Sequence, residues 1–239
     1  MTFSRPVLAV IGDRVVNTLL LMTAAIFLAV ALGILLGAAA ALRPGGLRDT
    51  LLVAGSMALN AAPGFWLGLM MIVIFSVKLG WFPSGGLMAV GGAPSMVERV
   101  LDIAWHLVLP VATLALTYLA LYLRLMRAAM LEAGRSDYIR TALAKGLSRR
   151  RIVWRHMARN AVLPVATMIG LQASALLGGS VVIETVFAVP GMGRLAYEAV
   201  AGRDLPLLMG VMLASAVVVI LVNLLLDLVY ARLDPRIEA

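Results

Sequence analysis

Five stretches of this chain run without a single Asp, Glu, Lys or Arg: residues 15–42, 50–77, 103–123, 160–183 and 205–226. Between them polar and charged residues return in clusters. Crossing about 30 Å of hydrocarbon takes about 20 apolar residues in a helix, and each run is long enough. Strands of a membrane barrel would alternate apolar and polar residues, whereas these runs are continuously apolar. The pattern therefore predicts five transmembrane helices in an all-α integral membrane protein. The first run is too long for the core of a signal peptide, and no small-residue cleavage site follows it.

Composition supports the same reading. Of the 239 residues, 62% are hydrophobic and 13% charged, and the mean hydropathy is +1.01. Soluble domains sit nearer half apolar and a quarter charged. There is no cysteine, and His106 and His156 are the two imidazoles, which excludes a disulfide framework and leaves metal catalysis without a ligand set.

Charge sets an orientation. The connecting segments 43–49, 124–159 and 227–239 hold 2, 10 and 2 Lys or Arg, against 2 in each of 1–14, 78–102 and 184–204. The positive-inside rule puts the first set in the cytoplasm. The carboxyl terminus is then expected inside and the amino-terminal segment 1–14 outside. Gly33 with Gly37, and Gly64 with Gly68, form GxxxG spacings that let helix backbones approach in lipid. Trp81, Phe82 and Trp105 stand where an interfacial aromatic belt would lie.

The segment 124–159 is the informative one. Its ten basic and two acidic residues carry a net +8, the whole net charge of the chain. A helix over residues 132–145 is predicted, with Glu132 in its first turn and Lys145 in its last. Gly146 is a natural left-handed stop, and Ser148 can cap a second helix. Tyr138, Ala142 and Leu143 share one face of the first helix, and Ile152, Val153 and Met157 one face of the second. The result is a helix–turn–helix at the membrane surface with an apolar tip. Such a segment could anchor on anionic lipid, bind nucleic acid, or dock a cytoplasmic partner. No base-reading module accompanies it, and apolar residues interrupting a basic segment suit a partner groove.

The run from Tyr138 through Ile139, Arg140, Thr141, Ala142, Leu143, Ala144, Lys145, Gly146 and Leu147 to Ser148, followed by His156-Met157-Ala158-Arg159-Asn160, resembles the loop of ABC-importer permeases of the dipeptide/oligopeptide/nickel class. So do the stretch Glu184 to Arg194, with Pro190-Gly191-Met192-Gly193 inside it, and the ending Asp227 to Arg236. The resemblance, closest to the first of two permease subunits, implies a five-span type I ABC-importer permease (MetI-like) helical bundle over residues 15–239. It implies that Tyr138, Arg140, Thr141, Ala142, Lys145, Gly146, Leu147 and Ser148 form a coupling helix seated in an ATPase cleft. It also implies a second homologous permease, two cytoplasmic ATPase subunits, an external solute-binding protein, a multi-pass place in the bacterial or archaeal inner membrane, and no nucleic acid. Arg140-Thr141-Ala142 stands where the wider family has Glu-Ala-Ala. Relatives of this type begin with an additional span and an external domain ahead of the point where this chain starts, so a misplaced start or a truncation is expected.

No phosphate-cradling GxxxxGK[ST] loop exists; Lys78 and Lys145 are the two lysines and neither closes one. The chain is therefore expected to bind no cofactor itself, ATP being used by partner subunits. Asn60 beside Pro63, Gln172 and Glu184 are candidates for the translocation pathway, with interhelical hydrogen bonding or, for Glu184, solvation at the interface as the plainer alternatives. The Pro190–Gly193 turn, followed by residues 194–203, could be a short external helix that meets the binding protein, with a plain re-entry loop as the alternative. A secondary transporter would favour charges inside the spans, and an integral-membrane enzyme would cluster His, Asp or Glu at one face; neither pattern is present.

Overall fold

The computed structural model describes residues 7–89, 91 and 95–233. Among these the chain is helical and without strands. Helix α1 is Val7–Ala41, α2 Leu47–Ala61, α3 Gly64–Met71, α4 Met96–Gly134, α5 Asp137–Ala144, α6 Arg149–Arg151, α7 Ala158–Val186, α8 Met192–Ala201 and α9 Leu205–Leu233. Two π-helical segments, Ile72–Lys78 and Ile152–Met157, extend α3 and join α6 to α7. Each of the five apolar runs is occupied by helix. Ala9–Ala41, Met96–Gly134 and Leu205–Leu225 are long and apolar enough to cross a bilayer, and α2 with the extended α3 qualifies as one broken span.

Three boundaries differ from the sequence reading. The second span is broken because Pro63 forces the residue before it out of the helical region; Ala62 adopts φ −75°, ψ 135°. Residues 124–134 belong to α4 and are not loop, since nothing between Leu123 and Gly134 breaks a helix. Residues 7–14 are already helical. The remainder of the predicted amino-terminal segment, residues 1–6, and the end of the carboxyl tail, residues 234–239, lie outside the described residues.

The chain divides into two compact units. One comprises residues 26–62 and 115–169. Its core gathers small residues of α1 (Ala29, Ala38) against Tyr122, Met126 and Met130 of α4 and Val153, Ala161 and Val165. Close approach explains the first GxxxG. A Cβ on Gly37 would stand 2.5 Å from the Leu123 carbonyl oxygen, and one on Gly33 would overlap Tyr122 Cβ. The other unit comprises residues 1–25, 63–114 and 170–239, with Val10, Ile11, Met192, Leu195, Ala199, Leu207 and Val211 packed together. Here the second GxxxG is only half used. Gly68 admits the Phe187 ring, 3.2 Å from where a Cβ would stand, while Gly64 faces open space. The aromatic residues of the expected belt pair up, Phe82 with Trp105 at 4.6 Å between ring centroids and Trp81 with Phe75 at 5.9 Å.

Candidate functional site

The basic segment folds into a hairpin whose turns are set locally. Helix α4 stops at Gly134, and the amides of Arg135 and Ser136 close tight turns onto Glu132 and Ala133 carbonyls at 3.0 and 3.2 Å. Ser136 is extended, φ −74°, ψ 153°, and α5 begins after it with Asp137 in its first turn. The single helix expected over 132–145 is thus two, and the acid favouring its start is Asp137 rather than Glu132.

At the other end Gly146 has φ +72°. Its amide donates to the Leu143 carbonyl at 2.9 Å, and the Leu147 amide donates to that of Ala142 at 3.2 Å. This pair of bonds is the Schellman stop, which needs a left-handed residue at Gly146 and brings Leu147 back onto Ala142. Ser148 holds the expected position ahead of the next helix with ψ 143°, but its hydroxyl makes no capping bond. Its carbonyl accepts the Ile152 amide at 3.0 Å.

Ile139, Ala142 and Ile152 form a small buried core between the two arms, with Leu147 and Met157 against it. The expected docking face is therefore corrected: Ala142 points inward, whereas Tyr138 is 41% and Leu143 60% exposed. Arg140, Thr141, Lys145, Gly146 and Ser148 are exposed, and Leu147 is half-buried. What remains outward on α5 and its turn is Tyr138 and Leu143 among Arg140 and Lys145, with Asp137 3.6 Å from Arg140. Val153 sits in the same core as Met126 and Met130, so a push on the hairpin reaches the helices of this unit through packed atoms.

Sequence reasoning did not find the ion pair that braces this unit. Arg127 on α4 grips Asp49 at the start of α2 with both arms, Nε to Oδ1 at 2.6 Å and Nη2 to Oδ2 at 2.7 Å. The Gly45 amide donates to the same carboxylate at 2.8 Å. Asp49 is buried. The usable signal was that both charges flank apolar runs in segments assigned to one side of the membrane.

In the other unit Glu184 is fully buried, which replaces the expectation of a carboxylate solvated at the interface. It belongs to the last turn of α7, and its carboxylate reaches the start of α8, where it satisfies an amide that a helix leaves unpaired. Glu184 Oε2 accepts the Arg194 amide at 2.9 Å, and Oε1 accepts the Thr18 hydroxyl at 2.8 Å. Thr18 Oγ1 in turn accepts the Met192 amide at 2.8 Å. Asn17 Nδ2 donates to the Pro190 carbonyl at 2.8 Å. The Arg194 side chain turns back to the Ala188 carbonyl at 2.6 Å and to Glu198 at 2.8 Å. The glycines of this motif follow from crowding. A Cβ on Gly191 would overlap the Glu184 carboxylate, and one on Gly193 would stand 2.6 Å from Val181 Cα. Gly191→Ala is expected to displace the carboxylate from the α8 amides, an overpacking cost of about 1–3 kcal/mol. A thermal unfolding midpoint unchanged from the parent in detergent would contradict the clasp.

Asn60 and Gln172 take different parts. Asn60 Nδ2 donates to the Thr117 carbonyl at 3.2 Å from an exposed position, an interhelical bond of the plainer kind. Gln172 is half-buried. Among the described residues no group of three His, Asp or Glu stands ready for a metal.

The family described as binding-protein-dependent transport system inner membrane component matches residues 33–239. The oligopeptide transport system permease protein AppB of Bacillus subtilis (strain 168) is 41% identical over 233 residues, covering 98% of this chain and 72% of the relative. The di/tripeptide transport system permease protein DppB of Pseudomonas aeruginosa (strain UCBPP-PA14) is 42% identical over 235 residues, covering 92% and 70%. Among solved structures, a chain of the MetNI methionine ABC transporter in an inward-facing conformation superposes with a TM-score of 0.75 at 19% identity. It covers 97% of this chain and 100% of its own length. That likeness establishes the fold.

Proposed function

Because this chain belongs to the family of binding-protein-dependent transport system inner membrane components, we propose that it carries peptides inward across the membrane and that its hairpin at 137–157 couples this movement to ATP hydrolysis. The chain is a permease component of an ABC importer in the inner membrane, and it works with an ATPase and a further permease subunit. It is a transport subunit and not an enzyme, hydrolysis belonging to a separate polypeptide. Peptides are the solute class because the relatives that match nearly the whole chain are named for oligopeptides and di- or tripeptides. Two ATPase copies and an external solute-binding protein complete the assembly in this proposal. ATP binds to those partners, and no cofactor is assigned to this chain.

The observation that carries the coupling role is the inward turn of Ile139, Ala142 and Ile152 beneath an outward Tyr138 and Leu143. A hairpin with its own core can be pushed as one body. Two exposed apolar side chains among cations give a partner cleft something to bury. Closure of the ATPase pair would press on α5 and pass through Val153 to Met126 and Met130. In this reading the hairpin and the carboxyl terminus lie in the cytoplasm, supported by fourteen basic residues in segments 43–49, 124–159 and 227–239 against six in the other connecting segments.

The absence of native cysteine makes the test simple. Leu143→Cys is expected to cross-link to the ATPase subunit in the assembled complex. In membranes stripped of the ATPase subunits it should react with a membrane-impermeant thiol reagent, and only once the cytoplasmic face is opened. Labelling in intact cells would overturn the orientation, and free labelling within the assembled complex would overturn the docking.

A further inference from the structure

Coupling through α5 does not account for a concavity between the second arm of the hairpin and the end of α1. Leu42, Arg43, Arg149, Arg150, Val153 and Trp154 line it, around a volume of about 340 Å³. Half of these side chains are guanidinium groups and none is acidic. Arg149 Nη2 leans on the Leu42 carbonyl at 3.4 Å, a neutral acceptor that adds no negative charge. Arg43, Arg149 and Arg150 are exposed, and Trp154 is 52% exposed. Depth is fixed by Leu42, the last residue of the first charge-free run, with Arg43 the first charge after it. The concavity therefore straddles the boundary between hydrocarbon and headgroups.

The chemistry converges on one occupant. Guanidinium forks match phosphate oxygens in bidentate geometry. An indole placed at headgroup depth has an apolar body for the acyl side and an N–H for the polar side. Leu42 and Val153 give an apolar floor that a free ion has no use for. We propose that this concavity binds the phosphate of an anionic phospholipid headgroup, with Arg43, Arg149 and Arg150 on the phosphate and Trp154 and Leu42 along the glycerol and first methylenes. Basic pockets between membrane helices take such headgroups in the same way. The proposal rests on the chain being embedded in a bilayer and is independent of the coupling role of α5.

Free inorganic phosphate shares the ion chemistry, and an acidic surface of the ATPase subunit would be the protein counterpart; the test separates both. The purified transport complex, partner subunits included, is titrated in detergent with phosphatidylglycerol, phosphatidylcholine or inorganic phosphate and read by native mass spectrometry. Phosphatidylglycerol is expected to bind well ahead of phosphatidylcholine and to resist millimolar phosphate. A hydrogen bond to a charged group is worth about tenfold or more in affinity, so R149Q/R150Q should weaken phosphatidylglycerol binding by at least roughly tenfold. R151Q/R155Q removes the same charge from exposed positions outside the concavity and should weaken it far less. Equal losses in the two double variants would overturn the proposal, as would displacement by inorganic phosphate. Loss of the ATPase subunits from R149Q/R150Q with lipid binding intact would assign the concavity to a protein partner instead. If that variant does not accumulate, the unaltered complex decides, because equal binding of phosphatidylcholine and phosphatidylglycerol overturns the site.

Discussion

Gly146→Val should reach the membrane in normal amount and yet transport about tenfold less solute, with ATP hydrolysis no longer stimulated by it. The reason is backbone geometry alone. Gly146 stands at φ +72° with no atom within 4 Å of where a Cβ would be placed, so the substitution causes no clash. It imposes a left-handed conformation on a β-branched residue, a cost of roughly 1–2 kcal/mol. A strain of that size lowers the population of the native turn about tenfold and releases both amide bonds that stop α5, those to Leu143 and Ala142. The small core of Ile139, Ala142 and Ile152 would then lose its register, and α5 would no longer present Tyr138 and Leu143 together. No apolar run is altered, so insertion should be unaffected. Gly146→Asn is the graded control, because asparagine visits the left-handed region more readily and should retain most of the coupling. Solute-stimulated ATPase activity of the reconstituted complex, normalised to membrane abundance, is the measurement. Normal transport by Gly146→Val would show that the turn is not part of the coupling path.

The second large effect is expected on stability. Removing one partner of a buried ion pair strands the other charge, and costs about 3–5 kcal/mol. Arg127→Leu leaves the Asp49 carboxylate, its side chain only 4% exposed, with the Gly45 amide as donor but no counter-charge; Asp49→Ala leaves a guanidinium that is 29% exposed and can bend toward water. Arg127→Leu should therefore be the more damaging of the two. It should lower the unfolding midpoint in detergent and the amount of protein recovered from membranes. The double variant Asp49→Ala/Arg127→Leu should recover much of the loss, because an apolar pair has no charge to solvate. Strictly additive losses in that double-mutant cycle would show that the two residues do not depend on each other.

These two sites differ in how visible they were beforehand. Gly146 could be read from the chain because a glycine after a basic helix end is a local stop signal, and the Schellman bonds that use it span only residues 142–147. Asp49 and Arg127 lie 78 positions apart, and each alone reads as an ordinary charge at a membrane boundary. Glu184 was noticed, but its surroundings were misjudged. It ends an apolar run, so an interface position was the economical reading. Only the fold shows Thr18 and the first turn of α8 closing over it. The glycines at 191 and 193 were recognised as a motif, and their physical reason is the carboxylate and the Val181 backbone they admit.

By itself the sequence determined where the apolar runs lie, the all-helical class, the concentration of charge in one segment and the turn at Gly146. All of these depend on transfer of side chains from water or on backbone preferences within a few residues. Tertiary structure decided which groups satisfy one another. On α5 the apolar residues Tyr138, Ile139, Ala142 and Leu143 occupy adjoining stripes, and periodicity does not say which stripe faces inward. The choice fell to Ile152 and Met157, which meet Ile139 and Ala142 and leave Tyr138 and Leu143 outside. Likewise a buried carboxylate must find donors, but which donors depends on segments that only folding brings within 3 Å, as Arg127 reaches Asp49 and the α8 amides reach Glu184.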